Sequence, residues 1–149
     1  MTDEPTTSTD EPTSRDLWRQ ALLASLGAFM AMTAVWSLFA DVFITLFSLI
    51  LSTFTALYVV GFVVKIVALV VGIMLLRKHI PALNLASVLG LVALALSGFG
   101  AMTWVSALFA PQFQVADFGM GNLLQIAIWF VLGAWLMKVA VVKARTSAG

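Results

Sequence analysis

Chemistry in this chain is to be sought first at Lys65, which stands inside the apolar run Val59-Val60-Gly61-Phe62-Val63-Val64-Lys65-Ile66-Val67. An ionisable side chain within a membrane span is expensive unless it is paired or neutral, and it marks a functional site by default. Lys65 lies about eleven residues, or about 16 Å, from either end of the span that would contain it. A lysine stem is shorter than that, so snorkelling alone does not bring the charge to water. The two carboxylates nearest in kind, Asp41 and Asp117, both read as residues of the far loops. No counter-ion at matching depth is therefore expected from this chain. Ser25, Thr33 and Ser97 offer hydroxyls to Lys65, and Trp129 offers a ring face.

Three readings of Lys65 stay open at this point. It is a neutral lysine satisfied inside a bundle, its charged form disfavoured by desolvation. Or it pairs with a carboxylate or anionic headgroup supplied by another subunit or by lipid. Or it lines a pathway, binding an anionic substrate or relaying protons.

Other chemistry finds little support. His79 is the sole histidine and belongs to a basic loop, Arg77-Lys78-His79. Haem ligation or a multi-histidine metal site needs more than that. A Ser-His-Asp set cannot be assembled at one depth, so no catalytic, cofactor-binding or metal residues are assigned. Gly119-Met120-Gly121 is too short and misplaced for a phosphate loop. The seven methionines fill gaps before they act as ligands. With no cysteine, disulfide and thiolate chemistry are excluded.

The elements that must position Lys65 follow from composition. The chain is 62% hydrophobic and 10% charged, with a mean hydropathy of +1.06. That composition does not suit a soluble core wrapped in a solvated surface. The fold class expected is an all-α integral membrane protein, a four-transmembrane-helix bundle, with spans at about 17–39, 54–76, 83–109 and 123–142. Met1 to about Asp16 is rich in Thr, Ser, Asp, Glu and Pro, and repeats Thr2-Asp3-Glu4-Pro5-Thr6 as Thr9-Asp10-Glu11-Pro12-Thr13. It reads as a disordered acidic tail rather than a cleaved signal.

Asp41–Leu76 is too long for one span, at about 54 Å against a hydrocarbon core of about 30 Å. Residues 41–53 are accordingly expected as a helical extension or an interfacial amphipathic helix. Asp41, Thr45, Ser48, Ser52 and Thr55 form its polar stripe, and Phe43, Phe47, Ile50 and Phe54 a bulky face suited to partner packing. Small residues recur at helical spacing in Ala21, Ala24, Ala28, in Gly27, Ala31, in Ala86, Gly90 and in Ala93, Ser97, Ala101, which predicts close helix packing. Gly98 and Gly100 point the same way. Trp18, Trp36 and Trp104 read as interface anchors, Asn122 as the N-cap of the fourth span, and Lys138 as a snorkelling residue.

Arg15, Arg19, Arg77, Lys78, Lys143 and Arg145 fall on one side of the four-span arrangement, and the opposite loops carry no Lys or Arg. Both termini, including a basic tail at 143–149, are then expected in the cytoplasm, with the protein in the cell (cytoplasmic or inner) membrane. The function expected is that of a non-catalytic accessory, assembly or regulatory subunit of a larger integral-membrane complex. Transport machinery is favoured over a cofactor-bearing redox complex. Its partners are the lipid bilayer and another membrane protein that supplies a counter-ion to Lys65, with no nucleic acid and no cofactor. The alternative is a small homo-oligomeric transporter or anion channel that uses Lys65.

Overall fold

The computed structural model describes residues 13–51, 56–109 and 120–149, with side chains omitted at 44–51, 56–58, 105–109 and 120–121. The chain is all-helical: α1 (Ser14–Leu51), α2 (Ala56–His79), α3 (Leu85–Phe109) and α4 (Met120–Ala148). All four are long and apolar enough to cross a membrane. This defines the class, a multi-pass membrane protein.

α1 begins at Ser14, earlier than the expected tail boundary at Asp16, because Thr13 caps it. The Thr13 hydroxyl donates to Asp16 at 2.7 Å, and the Thr13 carbonyl accepts from the amides of Asp16 and Leu17. The rest of the expected tail, residues 1–12, lies outside the described residues. At its other end α1 runs without a break through Asp41 to Leu51, a helix of 38 residues. Of the two arrangements expected for 41–53, the extension is the one observed through Leu51. Nothing in that run breaks a helix: it has neither Pro nor Gly, so the backbone bonds continue past the apolar core.

α2 ends where Pro81 requires it, since the residue before a proline is pushed out of helical geometry. Ile80 is buried and fixes the connection against the core. Asn84 then caps α3. Its side-chain carbonyl accepts from the Ser87 amide at 2.9 Å, its own amide donates to the Ser87 hydroxyl, and its side-chain amide reaches the Ala140 carbonyl on α4 at 3.2 Å. α4 starts at Met120, so Asn122 sits within its first turn and is not the cap. The expected basic tail from 143 is helical to Ala148.

α1 is the hub: it packs on each of the other helices, α3 packs on α4, and α2 packs almost wholly on α1. Ala21, Ala24, Ala28, Ala31 and Ala34 are all buried, and they present the smooth surface that lets three neighbours approach one helix. With lipid as solvent, apolar area alone does not drive helices together, so close van der Waals fit decides where they cross. Glycine sets those crossings. A Cβ on Gly72 would stand 2.6 Å from the Gly27 carbonyl and 2.8 Å from the Ala31 amide nitrogen, so α1 and α2 touch backbone to backbone. A Cβ on Gly133 would meet Leu94 at 2.6 Å, which marks the α3–α4 crossing near Gly90. The small-residue rows therefore do what their spacing implied. Gly61, in contrast, has open space where a side chain would stand.

Candidate functional site

Lys65 is in the middle of α2, and its ammonium donates to the Asp41 carboxylate on α1 at 2.6 Å. This overturns the expectation that the chain holds no carboxylate at matching depth. Asp41 is not a loop residue, since α1 continues through it. Side-chain direction explains the rest. Above the Gly27–Gly72 crossing, Asp41 lies about 21 Å along α1 and Lys65 about 10 Å along α2. Side chains on an α-helix lean toward its N-terminus. Because α1 and α2 are antiparallel, Asp41 leans down toward the crossing and Lys65 leans up away from it. The two leanings converge and close the gap.

The pair is unevenly covered, with 31% of the Lys65 side chain exposed and 8% of Asp41. A charge-assisted bond of this length is of the strong kind, and losing one partner of a buried pair is far costlier than losing both. Among the described residues Lys65 hydrogen-bonds to Asp41 alone, so two of its three ammonium protons have no protein acceptor.

None of the hydroxyls expected near Lys65 reaches it. Ser25 donates to Ala21 in its own helix at 2.7 Å, and Ser97 donates across to the Ile126 carbonyl on α4 at 2.9 Å. The Thr33 oxygen is buried without a hydrogen-bond partner. It lies 2.7 Å from where a Cβ would stand on Gly98, hence over the Cα–H of that glycine. A side chain at Gly98 would collide with Thr33, so glycine is what lets α3 close on α1 at this level. Trp129 serves another crevice, between α3 and α4, with Phe99, Thr103, Asn122 and Gln125.

Of the expected anchors, Trp18 carries Lys138 over its ring at 4.3 Å. This cation–π contact joins α4 to α1 and gives Lys138 a partner in place of simple snorkelling. Trp36 packs on Phe99 at 5.0 Å between ring centres, linking α1 to α3, and Trp104 is half-buried. On the expected partner-packing face, Phe43 is 52% exposed, its ring against Phe39 at 5.1 Å. The side chains of Phe47 and Ile50, and all of Phe54, lie outside the described residues.

A crevice of about 260 Å³ opens between α1 and α2 beside the ion pair, lined by Phe29, Met30, Thr33, Ser37, Lys65 and Ala68 among others. Thr33, Ser37 and Asp41 sit four apart and so form one polar row on α1. The polar stripe read from the sequence began at Asp41; extending its spacing backward finds Ser37 and Thr33. Among the described residues no three His, Cys, Asp or Glu side chains come together as a metal site would require.

No family model matches the chain, and neither a curated protein nor a solved structure matches it.

Proposed function

We propose that the protein is a non-catalytic subunit that stabilises, assembles or regulates a larger integral-membrane complex, within transport machinery for solutes or lipids. The observation that carries this reading is the closure of the Lys65–Asp41 pair within one chain. An anion channel needs a ring of unpaired cations around its pathway, and here the candidate cation is neutralised by its own neighbour. A partner's carboxylate opposite Lys65 is no longer needed. The partner contact moves instead to the outer surface of α2.

That helix is the natural docking face. Only 6% of its spanning window is buried within the chain, against 39% for α3. Both termini and the basic ends of the helices face the cytoplasm, since Arg15, Arg19, Arg77, Lys78, Lys143 and Arg145 cluster at one end of the bundle.

The test is purification of the tagged protein in mild detergent from its native host at native expression, with co-purifying proteins identified and their stoichiometry measured. A stoichiometric integral-membrane partner supports the subunit. A homo-oligomer with no partner refutes it.

A further inference from the structure

A groove of about 650 Å³ runs between α1 and α4, lined by Trp18, Leu22, Ala127, Phe130, Val131 and Trp135 among others, and its walls are almost wholly apolar. Two cations stand at its mouth. Lys138 lies over the Trp18 ring at 4.3 Å, a contact that holds the charge in place but gives the ammonium no hydrogen-bond acceptor. Arg15 is exposed and falls in one row with Trp18 and Leu22, at intervals of three and four along α1. Among the described residues neither cation has a hydrogen-bond acceptor or an ion-pair partner. Of the two carboxylates among those residues, Asp41 is about 39 Å further along α1 than Arg15. Asp16 accepts from Thr13 and stands about 160° round the helix from Trp18.

The length of the groove sets the kind of occupant. Arg19 and Asp41 are about 33 Å apart along α1, so the two edges of a hydrocarbon core about 30 Å thick fall near these residues. Trp18 then stands at the headgroup level of the basic end, where indole rings are favoured. From Lys138 to Ala127 is about 16 Å along α4, close to half of that core. The groove thus reaches from the headgroups to the midplane, the depth that an acyl chain of one leaflet fills. A spanning helix would need a contact stripe across both leaflets.

The charge sets the head. A zwitterionic head brings its own cation beside Lys138 and Arg15 and finds no carboxylate to receive it. A phosphate diester without that cation accepts from both, and the guanidinium fork suits its oxygens.

We propose that this groove holds one anionic phospholipid of the leaflet at the basic end, its phosphate on Lys138 and Arg15 and one acyl chain laid along Leu22, Val131 and Ala127. The site uses α1 and α4 and leaves the outer face of α2 open, so it goes beyond the subunit reading and does not depend on it.

The probe is phosphatidylglycerol brominated on its acyl chains, added in rising fraction to phosphatidylcholine nanodiscs that hold the full-length protein. Bromine quenches the tryptophans it touches, and Trp18 and Trp135 line the groove. Brominated phosphatidylcholine at the same fraction supplies the baseline. The wild type should prefer the anionic lipid about tenfold, with a component that saturates. Lys138→Gln and Arg15→Gln should each lower that preference about fivefold, the worth of one cation at the surface, and Lys138→Arg should keep it. Ala127→Phe, at an exposed position in the wall, fills the lower groove and should remove the saturable component with every charge in place. Arg77→Gln/Lys78→Gln removes two cations outside the groove and should leave the preference unchanged.

A preference that survives Ala127→Phe, or that falls as far in Arg77→Gln/Lys78→Gln, would reduce the effect to general surface charge and overturn the proposal. A wild type with no preference overturns it as well. Should the preference then emerge in Asp10→Asn/Glu11→Gln, the acidic N-terminal segment is the occupant instead. Ala127→Phe keeps the test decisive should Lys138→Gln fold poorly.

Discussion

Removing one end of the Lys65–Asp41 pair should harm the protein more than removing both. Lys65→Met leaves the Asp41 carboxylate, only 8% exposed, without its cation. Breaking a buried pair in this way costs about 3–5 kcal/mol. Asp41→Asn leaves Lys65, which is 31% exposed and can swing its stem toward the crevice or the interface, so its cost should fall at the lower end of that range. The double variant Asp41→Leu/Lys65→Met removes both charges and should lie within about 1 kcal/mol of the wild type, or above it. The assay is equilibrium unfolding in mixed micelles of mild detergent and dodecyl sulfate, followed by far-ultraviolet circular dichroism. The coupling energy from this cycle should be at least about 3 kcal/mol. Single variants costing under about 1 kcal/mol each, or a double variant as unstable as their sum, would refute the claim that the pair is desolvated and closed within the chain.

Three further outcomes follow from the helix crossings and caps. Gly72→Leu drives a side chain into the Gly27 carbonyl at 2.6 Å and should destabilise by about 1–3 kcal/mol or more, whereas Gly61→Ala, with open space around it, should be neutral or gain up to about 1 kcal/mol; the same unfolding assay separates them. Gly133→Val, whose new side chain meets Leu94 at 2.6 Å, should loosen the α3–α4 contact and increase backbone amide exchange near Gly90. Asn84→Ala loses both the α3 cap and the bond to the Ala140 carbonyl, and should cost about 1–2 kcal/mol by thermal unfolding in detergent.

The four helices and the small-residue rows were legible in the sequence because both depend on local spacing. An alanine or glycine every four residues stays on one face whatever the neighbouring helix is. The partner of Lys65 was not legible, for a physical reason. Assigning Asp41 to a loop followed from matching helix length to bilayer thickness, and α1 exceeds that length by continuing to Leu51. Counting residues along the helix axes also treats side chains as level with their Cα atoms. In an antiparallel pair that assumption fails most for a long side chain facing a short one. Extending the spacing Asp41, Ser37, Thr33 toward the N-terminus was the one available signal. Asn84 stood inside the expected third span, which began at 83, so its place just before the observed start of α3 at Leu85 was not legible from hydropathy alone.

The closure of Lys65 onto Asp41 also bears on how the chain enters a membrane. The two residues are 24 positions apart, so Asp41 leaves the ribosome first and the lysine follows within the next helix. Inserted singly, α2 would carry a bare ammonium into hydrocarbon, at about 2.5–3.5 kcal/mol near the helix centre. Entering alongside α1, it brings a dipole instead of a charge. α1 and α2 therefore partition best as one hairpin, with α1 retained at the insertion site until α2 arrives. α3 and α4, whose spans carry no such charge before Lys138, are free to follow as a second pair.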